Sequence, residues 1–251
     1  MRNADWTTSV SVLDRVTAIF EAFDEHGEGL GVSELARRAN LPKSTVSRIA
    51  ADLVGQRFLD RDDGKLYLGI RLFELGLTVS KPRKLREAAL PLMNELRMAT
   101  GRSVQLAVLE QTDVVLVAVI RGKRALTTLG PVGSRRPAHS TAAGKALLAF
   151  SAREVVEDVV HGGLERLTAN TICEPAKLAG ELTTIRKTRI AIEREECASD
   201  LVSVASPVLG YGTTPVAAIA VAGCADEMNI DHLAPTVRAA AVALSHRIGN
   251  G

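Results

Sequence analysis

Aromatic residues are scarce in this chain, with one Trp, two Tyr and five Phe in 251 residues, so any core must be built from Val, Leu, Ile and Ala. Cysteine is scarce too. Cys173, Cys197 and Cys224 are odd in number and lack the spacing of a zinc site or a redox pair, which leaves reduced thiols as the expectation. The opening segment MRNADWTTSV has no apolar core of the kind a signal peptide carries. The longest apolar runs, such as Val114–Ile120, are far too short to span a bilayer. A soluble, cytoplasmic protein without a membrane partner is expected. Charge of one sign is also missing: the formal net charge is +2, which argues neither for nor against nucleic acid. The length suits one large or two medium domains.

What is present starts at Val32. The stretch VSELARRANLPKSTVSRIAADL reads as two helices around a tight turn. Ser33 is placed to cap the first helix, whose inward face is Leu35, Ala36 and Ala39. Asn40 tolerates left-handed backbone, and Pro42 ends the turn. The second helix carries Val46, Ile49, Ala50 and Leu53 at helical spacing. Lys43, Ser44, Thr45, Ser47 and Arg48 lie opposite or at its start. Short polar and basic side chains at a helix N-terminus suit the major groove, where that end meets base edges and phosphates. For Ser44 a plain helix-capping role competes evenly with DNA contact.

Two alternating runs follow, Phe58–Arg61 and Lys65–Leu68, with Asp62, Asp63 and Gly64 as a hairpin loop. Two helices and a hairpin make a winged helix-turn-helix, with Arg61 and Lys65 on the wing placed to touch phosphate or minor groove. Residues 31–57 carry Arg37, Arg38, Lys43, Arg48 and Arg57 against Glu34 and Asp52, a local excess of three positive charges. The preceding stretch and the wing tip are acidic. A narrow basic surface fits a site-specific dimer better than a coating protein.

Elsewhere, Ser11–Phe23 reads as an amphipathic helix with Val12, Val16, Ile19, Phe20 and Phe23 on one face, broken by HGEGLG. Ile70–Val79 is helical, and the Lys81-Pro82-Arg83-Lys84 run is expected to end or bend it, placing a domain boundary near residue 82. That run reads first as a solvated linker, with a phosphate contact as the alternative. Beyond it, Leu85–Thr100 is a helix, and Ser103–Leu109 and Val114–Arg121 are strands joined by a short turn. A third strand is expected over Ala125–Leu129. Ser140–Phe150, Ala152–Val160 and Pro175–Lys187 read as helices. Arg189–Glu193, Leu201–Val208 and Pro215–Ala222 read as strands, and an Ala-rich helix spans about Ile230–Ile248. Strands joined by tight turns are antiparallel, so an α+β sheet with helices packed on it is expected.

Several of these segments together resemble one family. LPKSTVSRIAADL (Leu41–Leu53), LYLGIRLFELG (Leu66–Gly76), PAHSTAAGKALLAF (Pro137–Phe150) and VSVASPV (Val202–Val208) followed by AAIAVAG (Ala217–Gly223) are similar, in this order, to the IclR family of bacterial transcriptional regulators. The resemblance implies a winged helix-turn-helix over 1–69, a linker helix over 70–84, and a GAF-like effector-binding and oligomerisation domain over 85–251. It implies a homodimer through the DNA-binding end, often a homotetramer, on a double-stranded, pseudo-palindromic DNA operator, with no cofactor. Lys43 and Arg48 are the expected phosphate or guanine contacts, and Ser44, Thr45 and Ser47 those to base edges or sugar-phosphate. Arg38, Arg61 and Lys65 complete the DNA-contacting set. Many relatives have His where this chain has Ser47.

The resemblance also places an effector pocket between the sheet and the helix entered by His139–Gly144. There Thr141, Ala142 and Ala143 would let backbone N–H groups approach an anion. Thr128, Glu193, Ser203, Ala220 and Ala222 are the other implied lining positions. Many relatives carry Cys at 203 and some have Ser at 220 and 222, so this wall is expected to be more apolar. Arg136 replaces an aliphatic residue and is placed to pair with an acidic ligand, an exposed loop arginine being the competing reading. A small organic acid is implied, with aromatic acids among the candidates.

Other readings are weaker. Gly144-Lys145 lacks the partner glycine and the following Ser or Thr of a phosphate loop. His139 beside Ser140 has no third catalytic group and is expected to be structural, holding the loop that closes the pocket. No metal motif links His161, Cys173, Cys197 and His232. An enzyme that turns over its ligand and a constitutive architectural DNA binder remain as alternatives. Product formation would favour the first, and absence of an effector response the second.

Overall fold

The computed structural model describes residues 11–23, 27–124 and 128–249. They divide between Ser80 and Lys81 into two compact units. In the first, α1 (Val12–Glu21), α2 (Val32–Arg38) and α3 (Lys43–Gly55) precede a hairpin of β1 (Leu59–Asp62) and β2 (Lys65–Leu68), and α4 (Ile70–Thr78) follows. A capping box starts α1: the Asp14 N–H donates to the Ser11 hydroxyl and the Ser11 N–H to the Asp14 carboxylate. Ile19 reaches the core, whereas Val12, expected on the same face, is 64 % exposed. The cap of α2 is Gly31, which corrects the expectation for Ser33; Ser33 lies inside the first turn.

Both helices of the turn motif end alike. After α2, Asn40 (φ 52°) takes the left-handed conformation while its N–H and that of Leu41 donate to the carbonyls of Arg37 and Ala36. After α3, Arg57 (φ 63°) does the same, its N–H and that of Phe58 donating to Val54 and Leu53. These are Schellman closures built without glycine. The wing register pairs Leu59 with Leu68 and Asp62 with Lys65, so the connection is the two-residue Asp63-Gly64 turn, both at positive φ. Leu30 adds one rung by pairing with Leu66. Ile19, Leu35, Val46, Ile49, Leu53, Leu59 and Leu66 form this unit's core.

The second unit opens on α5 (Ser80–Thr100), in which the KPRK run forms part of the first turns rather than a break. Pro82 is tolerated there because the N–H it lacks would have no intrahelical acceptor. The chain instead leaves helical geometry at Val79 (ψ 101°). Then come β3 (Ser103–Glu110), β4 (Asp113–Ile120), β5 (Arg135–Pro137), α6 (Ala142–Leu148), α7 (Arg153–His161) and α8 (Pro175–Thr188). β6 (Ala191–Arg194), β7 (Leu201–Leu209), β8 (Pro215–Cys224) and α9 (Ile230–Gly249) complete it. Of the expected strand at Ala125–Leu129, residues 125–127 lie outside the described residues, and Thr128 and Leu129 are not in a strand. The strand after β4 is instead Arg135–Pro137.

The strands form one antiparallel sheet in the order β5-β4-β3-β8-β7-β6. Its faces differ in residue size. Leu106, Val204, Ile219 and Val221 meet α5 and α9. On the opposite face Ala205, Ala218 and Ala220 meet α6 and α8. Small side chains there bring α6 close, and all seven of its residues are buried. The architecture is an α+β N-terminal helix-turn-helix followed by an antiparallel sheet between helices. No helix among the described residues is long and apolar enough to cross a membrane.

Candidate functional site

The first candidate surface is the outer side of α3. Val46, Ile49, Ala50 and Leu53 are buried, each aliphatic side chain of Val, Leu or Ile size contributing about 1.5–3 kcal/mol by burial. That periodicity turns Lys43, Ser44, Ser47 and Arg48 outward and leaves Thr45 half-buried. Pro42 holds the N-cap position without a side-chain bond, so Ser44 is not the cap and its hydroxyl is free of that duty. Arg61 and Lys65 are exposed on the wing, but Lys65 stands directly across the ladder from Asp62. Arg38 is exposed, and its guanidinium donates to Glu34 at 2.9 Å and to the Ala22 carbonyl. Arg37 bonds the same carboxylate at 2.6 and 2.9 Å, and the two arginines hold Glu34 down at about 2. Two arginines share this one carboxylate, so the cluster keeps a net positive charge on the surface and Arg38 stays a candidate for DNA contact.

The second candidate is a cavity of about 40 Å³ on the α6 side of the sheet. Every strand supplies part of its wall, from Arg136 on β5 to Glu193 on β6. Of the expected positions, Thr128, Arg136, Thr141, Ala143, Glu193, Ser203 and Ala222 line it. Ala142 and Ala220 do not; both are sealed in the core between α6 and the sheet. One residue along a helix turns a side chain by about 100°, which separates Ala142 from Ala143. Ala220 lies two residues, about 7 Å, along β8 from Ala222 and beneath α6. A Cβ on Gly144 would fall 2.1 Å from the Ala138 carbonyl oxygen, and the Gly144 N–H already donates to the Thr141 hydroxyl. Glycine there serves helix packing.

Charge in the cavity comes from two residues. The Arg136 guanidinium donates to the Arg135 carbonyl at 3.0 Å, lies against the Cys197 thiol and lines the cavity. Glu193 is 2 % exposed; its carboxylate accepts from the Ser203 hydroxyl at 2.7 Å and the Cys197 N–H at 3.2 Å. Burial outweighs these bonds and pushes Glu193 up to about 7. Cys197 also lines the wall, and burial, reinforced by the Glu193 charge, pushes its thiol up to about 11. His139 is structural, its Nε2 donating to the Glu165 carbonyl at 3.0 Å, though that loop does not line the cavity.

Two features escaped the sequence reading. Gln105 lines the cavity from β3, and a lone polar residue inside the apolar run SVQLAVLE was the available signal. Lys145 is wholly buried on α6, its Nζ donating to both Glu196 oxygens at 2.7 and 2.8 Å and to Glu181 at 2.7 Å. Its partners lie 36 and 51 residues away, so no local pattern announced them. No cluster of three metal-ligating side chains exists among the described residues.

Known proteins match both units. Residues 12–63 match the family model described as the IclR helix-turn-helix domain, and residues 78–246 that of the bacterial transcriptional regulator IclR C-terminal. The HTH-type transcriptional repressor AllR of Klebsiella pneumoniae is 31 % identical over 222 residues, covering 87 % of this chain and 82 % of the relative. Among solved structures, an IclR homolog from Microbacterium hydrocarbonoxydans complexed with 4-hydroxybenzoate superposes with a TM-score of 0.88 at 29 % identity, covering 96 % of this chain and all of that one. The Thermotoga maritima IclR gives 0.75 at 26 % identity over 94 % of this chain and 99 % of its own. The chain therefore belongs to the IclR family of bacterial transcriptional regulators.

Proposed function

We propose that this protein is an effector-responsive repressor whose dimer sets two α3 helices into successive major grooves of a pseudo-palindromic operator. The observation that carries the reading is the outer row of α3, with Lys43, Ser44, Ser47 and Arg48 exposed at its N-terminal half. Thr45, half-buried, supports the row from beneath. Phosphate contacts from Lys43, Arg48 and Arg61 set affinity, and base contacts from the serines set sequence. Lys65 contributes less, since Asp62 opposes it. The repressor assignment follows the name of the AllR relative.

The effector is a small organic acid held in the cavity with its carboxylate on Arg136, and Thr141, Ala143, Ser203 and Ala222 shaping the wall. About 40 Å³ holds roughly three water-sized centres, so a two- or three-carbon acid fits directly. An aromatic acid, such as the 4-hydroxybenzoate bound by the Microbacterium neighbour, needs Leu129 and Leu201 turned aside. The effector acts through unequal affinity for DNA-competent and DNA-incompetent arrangements, with couplings of roughly 1–3 kcal/mol.

A gel shift on the protein's own upstream DNA, against scrambled competitor at near-physiological salt, tests the reading. A discrete competitor-resistant complex is expected, and Arg48→Ala weakens it at least about tenfold, the loss of one charge-assisted contact. Effector binding by Arg48→Ala stays unchanged. Equal binding to scrambled DNA would favour an architectural binder.

A further inference from the structure

We propose that Glu193 sets the charge of the effector: the cavity takes a monocarboxylate together with a proton on Glu193 and rejects the dicarboxylate of the same skeleton. This rests on the cavity being the effector site. Among its described lining residues Arg136 is the one cation and Glu193 the one carboxyl group. A ligand carboxylate seated in a space of about 40 Å³ comes close to Glu193. Two carboxylates sharing a small, dry site do not both ionise; one keeps a proton.

Among the described residues no other cation lines the cavity, and Lys145 behind it is already engaged. Glu193 faces the Ser203 hydroxyl from β7, the Cys197 thiol and N–H from the following turn, and the Glu196–Lys145 pair behind it. Lys145 is engaged by Glu196 and by Glu181 of α8, two carboxylates for one ammonium. The Cys197 thiol, between Glu193 and Arg136, is held neutral by burial and adds no charge. One guanidinium therefore balances one ligand charge. Protonated Glu193 becomes a donor to the ligand, and the proton comes from solvent as the anion binds. Burial already pushes Glu193 to about 7, so this proton is within reach at neutral pH.

The test is calorimetry on the full-length protein with two matched pairs of probes, propionate against malonate and 4-hydroxybenzoate against terephthalate. For a group titrating near 7, monocarboxylate affinity falls about tenfold between pH 6 and pH 8. In buffers of different ionisation heat, about half a proton is taken up per ligand at pH 7. The dicarboxylates bind at least about tenfold more weakly than their partners. Glu193→Gln, which stays neutral, removes the pH dependence; the proton count on the unsubstituted protein stands even if that variant folds poorly. Monocarboxylate binding of equal strength at pH 6 and 8, or dicarboxylates binding as well as their partners, overturns the role of Glu193 alone. Binding of neither monocarboxylate at either pH overturns the effector reading and this inference together.

Discussion

Glu193 illustrates how one buried side chain links the pH of the solution to the fold. Its carboxyl titrates near 4.5 in an unfolded chain and near 7 in the native one. The native state thus binds its proton more tightly, and the stability this confers is complete below pH 4.5 and lost as pH rises through 7. A shift of that size corresponds to about 3 kcal/mol. The stability of Glu193→Gln relative to the unsubstituted protein, followed by denaturant unfolding from pH 4.5 to 8, should therefore rise with pH by roughly that amount and then level off. A constant difference would place the ionised form in a better-solvated setting than the geometry gives. Glu34 has the opposite sign, held at about 2 by Arg37 and Arg38, but it is surface-exposed and its contribution is screened by solvent.

Among the elements, α6 and the turn between β6 and β7 depend on each other. Lys145 reaches from α6 to Glu196 in that turn, where Glu195 and Asp200 both take positive φ without being glycine. The turn is further tied by the Thr168 and Thr171 hydroxyls donating to the Glu195 and Glu196 carbonyls at 2.6 and 2.7 Å. Burial pushes Glu196 up even though Lys145 opposes it, so the pair is balanced rather than strongly favourable. Lys145→Met leaves two carboxylates facing an apolar helix and should lower stability by about 3–5 kcal/mol. Adding Glu196→Leu should recover part of that loss, measured as the urea midpoint. No recovery would mean that the turn's hydrogen bonds, and not the charge pairing, hold it.

At the scale of the whole molecule, α4 bears on assembly. None of its nine residues is buried, and Ile70, Phe73 and Leu77 are 51, 61 and 46 % exposed at spacings of three and four. Such a stripe asks for a partner, and under the proposed function that partner is a second copy bound to the other half-site. Phe73→Glu with Leu77→Glu should yield a monomer by analytical ultracentrifugation and weaken operator binding by about a hundredfold or more, since each head then binds without its neighbour. Effector binding should persist. A dimer of unchanged stability would move the interface elsewhere.

The sequence by itself determined what depends on near neighbours along the chain. The outer row of α3 follows from the spacing of Val46, Ile49, Ala50 and Leu53, the interhelical turn from Asn40, and the wing from Asp63-Gly64. Each is a preference of a few consecutive residues, so it shows in a linear reading. The family likeness placed most of the cavity wall, but it could not separate Ala143 and Ala222 from Ala142 and Ala220. That choice depends on how α6 lies on the sheet. Tertiary structure alone brought Gln105 to the cavity and Lys145 to Glu181 and Glu196. The bond from Arg38 to the carbonyl of Ala22, sixteen residues away, likewise came from the tertiary structure. Distances across a sheet of six strands are fixed by pairing between remote segments, and charge balance in a buried site is a property of all of them together.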